Sequence, residues 1–219
     1  MRFPGRNLSE LNYRRFVGWD ASQHCFTIDE SASKPIESTT NNSLLGRDPA
    51  YMKIEDVMKS LIVLRHGKAE SPGGVADFDR SLAGRGTRDA VRVGEVLFER
   101  DLMPNLIVTS TANRAATTAQ LVAEGCNYSG EVVQVSDLYL PTQSAILATV
   151  RDIPEQHSRV VIVGHNPGFG MFAMKFGSGV DSFPTCAWTH IAFDVDFWGE
   201  VTETSKSEGL DYWYPKIEE

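Results

Sequence analysis

Two kinds of hydrophobic spacing alternate along this chain from Leu61 onward. Short unbroken runs of branched apolar residues, Leu61–Leu64, Leu106–Val108 and Val160–Val163, read as strands covered on both faces. Between them lie stretches with apolar positions three or four apart. Ala90, Val91, Gly94, Leu97 and Phe98 form one stripe of a helix predicted to begin near Arg85–Thr87. Ala115, Ala116, Ala119, Val122 and Ala123 form another, and Phe169, Phe172, Ala173 and Phe176 a third. Glu131–Val135 reads as a further strand, and Thr142 is placed to cap a short helix running to about Arg151, with Ile146 and Val150 inward. Ala187–Phe193 reads as a strand, and a last short strand or tail near Asp211–Pro215 finishes the expected sheet. Strands alternating with helices predict a three-layer α/β/α domain around a mostly parallel sheet.

Residues 1–57 follow neither spacing. Ser, Asn, Thr and Pro are scattered through Ser31–Asn42, and Met58 stands just before the first strand. The expected organisation is an N-terminal extension without a packed core, 1–57, followed by one domain, 58–219. Four arginines against one acid in the first nineteen residues resemble an organellar leader, but acids return at Asp20, Asp29 and Glu30.

Composition narrows the function classes. The chain has 219 residues, 42% apolar and 23% charged, with a net charge of −8. Such a balance argues against a general nucleic-acid or anionic-membrane binder, and no apolar run approaches a bilayer's thickness. Cys25, Cys126 and Cys186 are odd in number and widely spaced, and no Cys/His cluster has zinc spacing. The expectation is therefore a reducing, cytoplasmic setting with no metal and no cofactor.

The candidate chemistry lies where the apolar runs stop. The first ends in Arg65-His66-Gly67, the second is followed at once by a helix bearing Arg114 in its first turn, and the fourth strand ends in Gly164-His165-Asn166-Pro167-Gly168. Open α/β sheets bind ligands beyond the carboxyl ends of their strands, so three junctions deliver two guanidiniums and two imidazoles to one crest. Such a cluster, without carboxylates to compensate it, is suited to a phosphoryl dianion. Guanidinium forks match its oxygens, and a neutral imidazole can attack phosphorus in line. Arg80 is a candidate for the rim. His24, His157 and His190 are assigned no role.

These motifs resemble the histidine phosphatase superfamily, which includes cofactor-dependent phosphoglycerate mutases. The resemblance rests on Leu64-Arg65-His66-Gly67, on Ser110 through Arg114-Ala115 to Thr118-Ala119, and on Gly164–Gly168. It is stronger to the small SixA-type phosphohistidine phosphatases, through Asp77 to Leu82, Leu138-Tyr139 and Pro184-Thr185. It implies a phosphoglycerate mutase-like fold. The span from Arg114 to His165, about fifty residues, leaves no room for a large helical insertion. By the same resemblance His66 is the nucleophile that becomes phosphohistidine. Arg65, Arg114 and His165, with Asn166 and Gly67, form the phosphate pocket, and Arg80 sits at its edge. The acid that mutases carry after the third strand has no clear counterpart, and Asp137, Asp77 and Asp79 stand as alternatives. The implied substrate is phosphohistidine on a phosphotransfer protein. The rivals are a small phosphorylated substrate turned over at the same site, and a non-catalytic phosphate-binding module.

Overall fold

A computed structural model describes residues 58–216. The expected extension over residues 1–57 lies outside the described residues. Six strands form one sheet: β1 (Lys59–Arg65), β2 (Leu106–Ser110), β3 (Val132–Val135), β4 (Arg159–Gly164), β5 (Trp188–Phe193) and β6 (Ser207–Trp213). Their order is β3-β2-β4-β1-β5-β6. The first four are mutually parallel, whereas β5 runs antiparallel to β1 and β6 antiparallel to β5. The helices α1 (Gly84–Glu99), α2 (Asn113–Gly125), α3 (Gln143–Arg151) and α4 (Gly168–Phe176) follow β1, β2, β3 and β4. This is the expected three-layer α/β arrangement, with no large helical insertion between α2 and β4.

Alternation along the central strands divides the core. Leu61 and Val63 of β1, with Val160 and Ile162 of β4, pack among residues of α3 and α4, including Ile146, Phe169 and Phe172. Ile62, Leu64, Val161 and Val163 point the other way, onto Ala90, Leu97, Ala119 and Val122 of α1 and α2. Each of these side chains is fully buried, so both faces of β1 and β4 demand apolar residues and the runs are unbroken. β3 lies at the sheet's edge, and Val133 is 39% exposed.

Thr142 caps α3 as expected, its hydroxyl accepting from the Ala145 amide. The stripe of α1 differs from expectation. Val93, Gly94, Val96 and Leu97 are buried with Ala90, while Phe98 is half-exposed. The cause is a close backbone crossing of α1 and α2. A Cβ on Gly94 would stand 2.5 Å from the Val122 carbonyl oxygen and 2.7 Å from Gly125 Cα. That crossing fixes the rotation of α1 and turns Phe98 toward solvent.

Gly94→Ala should therefore destabilise the domain by about 1–3 kcal/mol, read as a lowered urea midpoint. Phe98→Ser, on the exposed side of the same helix, should change it by less than about 0.5 kcal/mol.

Candidate active site

Strand register places the candidate groups. Arg65 is paired with Gly164 across the parallel β1–β4 ladder, and the His66 amide donates to the Gly164 carbonyl at 3.0 Å. His66 and His165 thus leave adjacent strands at the same level, their ring centroids 4.8 Å apart. Gly67 is needed where β1 meets α1, since a Cβ there would lie 2.8 Å from the Gly86 carbonyl oxygen. On the other side, β2 ends at Ser110, and the Ser110 hydroxyl accepts from the Ala112 amide as the chain enters α2. Arg114 follows in the first turn of α2 and is almost fully buried. One turn later Thr118 ties the two junctions together: its hydroxyl donates to the Arg114 carbonyl at 2.6 Å and accepts from the Gly67 amide at 3.0 Å.

The hydrogen bonds of His66 define its tautomer. Nδ1 lies 2.7 Å from the Gly67 carbonyl oxygen, and a carbonyl can only accept, so Nδ1 carries the proton. Nε2 holds the lone pair and receives the Arg114 Nε–H at 3.3 Å. Burial lowers the His66 pKa to about 4, with Arg114, Arg65 and Arg80 adding to the shift and the Gly67 carbonyl opposing it. His165 is lowered to about 3, by burial first and then by His66 and Arg114. Both imidazoles are neutral near pH 7, which removes the mutual repulsion that charged rings would bring. His165 Nε2 pairs with the Ser110 hydroxyl at 2.9 Å, and its Nδ1 is buried without a hydrogen-bond partner among the described residues. The Tyr139 ring stands edge-on against that imidazole at 5.4 Å.

The cations are not uncompensated, contrary to the expectation from spacing. Asp77, on a short 3-10 turn in the loop between β1 and α1, reaches Arg114. Its carboxylate accepts from Arg114 Nη2 at 2.9 Å, and its backbone carbonyl accepts from Nη1. The same carboxylate accepts from Arg80 at 2.8 Å and from the Tyr139 hydroxyl at 3.0 Å. Arg80 first, then Tyr139 and Arg114, hold its pKa down at about 2. Asp77 is thus a counter-ion, ionised far below neutrality. Three guanidiniums against this one carboxylate still leave the crest positive.

The other candidates fall as follows. Arg65 donates from Nη1 to the Phe183 carbonyl at 2.9 Å, and its Nε is buried without a hydrogen-bond partner among the described residues. Asn166 and Gly67, expected on phosphate, have other partners. The Asn166 amide nitrogen donates to the Phe183 carbonyl and its oxygen accepts from the Gly170 amide, while the Gly67 amide is held by Thr118. Arg80 also grips the Glu70 carbonyl through Nε and Nη2. Asp79 borders the site through its carbonyl, which accepts from Asn113. Asp137 lines a cleft with Val133, Thr149 and Ile153, and accepts from the Ser136 hydroxyl. Among the described residues no group of three or more His, Cys, Asp or Glu side chains could hold a metal ion, and no helix is long and apolar enough to cross a membrane. Ser110, Thr118 and Tyr139 stand in the motifs that carry the resemblance but have no role of their own there, and their positions in those motifs are the signal that could have found them.

Neutral buried histidines have a linkage consequence. Their folded pKa values lie below the unfolded value of about 6.5. The unfolded chain therefore takes up protons first, and stability falls as pH drops from about 6.5 toward 4 and 3. Long-range 1H–15N NMR should show His66 as the Nδ1–H tautomer at pH 6, titrating near pH 4. A His66 already half-protonated at pH 6.5 would contradict the geometry.

Comparison with known proteins agrees with this construction. The family model of the histidine phosphatase superfamily (branch 1) matches residues 61–138, a span that contains Arg65, His66, Asp77 and Arg114. An uncharacterised protein of Mycobacterium tuberculosis is 29% identical over 115 residues, 52% of this chain and 70% of its own length. Among solved structures, a SixA protein of Nakamurella multipartitia, assigned as a phosphohistidine phosphatase, superposes with a TM-score of 0.63. It is 24% identical, and the match covers 73% of this chain and 97% of that one. A mycobacterial glucosyl-3-phosphoglycerate phosphatase in complex with VO3 gives 0.51 at 20% identity, covering 72% of this chain and all of that one. The segment from Leu61 to Leu138 thus matches the histidine phosphatase superfamily (branch 1), and the domain around it has the fold seen in SixA proteins.

Proposed function

We propose that the protein is a phosphatase that works through a covalent phosphohistidine on His66, and that its substrate is phosphohistidine on a phosphotransfer protein. One observation carries the reading: a fixed Nε2 lone pair on a neutral imidazole, inside a cationic crest where His165 Nδ1 and Arg65 Nε are buried without hydrogen-bond partners among the described residues. Buried polar groups cost free energy unless paired, and phosphoryl oxygens would satisfy both. The SixA likeness in fold points the same way. The mycobacterial glucosyl-3-phosphoglycerate phosphatase of the same fold keeps a small phosphomonoester as the rival substrate.

In the first step the Nε2 lone pair forms a bond to phosphorus as the bond to the leaving group breaks. The Arg114 Nε–H, which holds that lone pair at rest, turns to a phosphoryl oxygen, and Arg65 and His165 share the charge of the others. In the second step water attacks phosphorus, the P–Nε2 bond breaks, phosphate departs, and the proton of the water goes to solvent. Neither step calls on a metal.

The leaving group discriminates among substrates. Asp77 is ionised and cannot supply a proton, and neither Asp79 nor Asp137 is bonded to His66, His165 or Arg114. An alkoxide requires a general acid, typically about 10²–10⁴-fold in rate, whereas the imidazole of a phosphoramidate can leave with a proton from solvent. kcat/KM should fall in the order phosphohistidine protein, p-nitrophenyl phosphate, phosphoserine. Equal turnover of phosphoserine or a sugar phosphate would favour the small-molecule reading.

His66→Ala should lose at least about 10³-fold in kcat, since a nucleophile has no partial substitute. Acid-labile, base-stable label should appear on His66 in quenched wild-type enzyme and be absent from the variant. Arg114→Lys should remain impaired, because a point charge cannot serve Nε2 and Asp77 together. EDTA should leave the rate unchanged.

A further inference from the structure

The basic residues of this acidic chain are unevenly placed. Two adjoining cavities, of about 340 and 480 Å3, share Arg85 and Pro215 as walls. The first starts at Arg65 and is lined by Lys68, and the second continues over Arg88 and Arg92 to Lys216. Six cations line the pair against one acid, Asp89, in a chain whose net charge is −8.

The charges are arranged along a line. Arg85, Arg88 and Arg92 stand three and four residues apart on α1, one helical face rising about 1.5 Å per residue. Arg85 is paired with Asp89, and Arg92 with Glu95 and Glu99. Lys68, Arg88 and Lys216 are exposed and have no carboxylate partner among the described residues. Trp213, Tyr214 and Pro215 also line the pair and give the groove an apolar side.

We propose that this groove docks an acidic segment of the phosphorylated protein, with the phosphohistidine entering at the Arg65 end. The proposal rests on the reading of His66 as the nucleophile of a protein phosphatase. Opposite charges along a track leading from the catalytic crest raise the encounter rate and fix orientation. In that reading Arg65, His66, Arg114 and His165 engage the phosphoryl group. Recognition of the polypeptide must then come from outside these four residues, and this is the charged surface contiguous with Arg65. A face this positive, on a protein this negative overall, also discriminates. Acidic partners are repelled elsewhere and attracted here.

The test uses the full chain and two synthetic phosphohistidine peptides, one flanked by glutamates and one by lysines. At about 50 mM salt the glutamate peptide should be cleaved with a kcat/KM about tenfold above the lysine peptide. The gap should close at about 500 mM, where charges are screened within a few ångströms. Arg88→Glu with Lys216→Glu should abolish the preference and leave turnover of p-nitrophenyl phosphate unchanged, which also shows that the variant is folded. Equal rates for the two peptides, or a preference that survives the reversal, would overturn the groove. Binding of a fluorescein-labelled, unphosphorylated glutamate peptide separates the two readings. If it binds the wild type and not the variant while neither phosphopeptide is cleaved, the groove stands and the phosphohistidine assignment falls. If it does not bind, and ATP instead binds in an Arg88-dependent manner, the groove serves nucleotides and the proposal is wrong.

Discussion

The site depends on one guanidinium held from two sides. Arg114 is nearly buried, and a buried cation must be paired to be tolerated. Its Nε faces the lone pair of His66 and its two terminal nitrogens face Asp77. The first contact depends on a neutral, correctly protonated His66, which burial and the Gly67 carbonyl enforce. The second depends on a loop that carries Asp77 back over the mouth of the sheet. That loop is closed by short-range bonds: Glu70 to Ser81, Ala83 to Lys68, and an isolated bridge between Ala69 and Leu82. His66, its neighbouring counter-ion Asp77 and the loop are thus linked by one side chain from the first turn of α2.

The same economy governs protonation. Histidines beside three arginines would be costly if charged, and depressed pKa values near 4 and 3 keep them uncharged without any carboxylate partner of their own. Asp77 spends its acceptor capacity on Arg80, Tyr139 and Arg114 rather than on an imidazole. Tyr139 joins both systems, bonded to Asp77 by its hydroxyl and packed against His165 by its ring edge. A similar depression at His190, to about 4, comes from burial and from Arg159 and has no link to the crest.

Much of this was legible in the chain because burial leaves a simple mark. β1 and β4 are enclosed on both faces, so Leu61–Leu64 and Val160–Val163 are apolar throughout and end abruptly where the candidate site begins. Thr142 announced its helix because a cap needs only local geometry. What could not be read depended on contacts distant in sequence. The rotation of α1 is set by Gly94 meeting Gly125, which no periodicity within α1 records, and Phe98 was placed inward for that reason. Asp77 sits on a three-residue turn without period, 37 residues before its partner Arg114. The roles expected of Gly67 and Asn166 came from their neighbours in the motif, while their hydrogen bonds go to Thr118, Phe183 and Gly170.

The reversal of β5 has a consequence in time. Because β5 runs against β1, the loop entering it, and not one leaving it, lies beside the head of β1. The Cys186 amide bonds there to the carbonyls of Arg65 and His66, and the Phe183 carbonyl anchors Arg65 across 118 residues. Chains are made from the amino end, and contacts this distant in sequence close late. A growing chain therefore holds the imidazole of His66 long before it can fix Arg65 beside it, and the crest is complete only when the last hairpin docks.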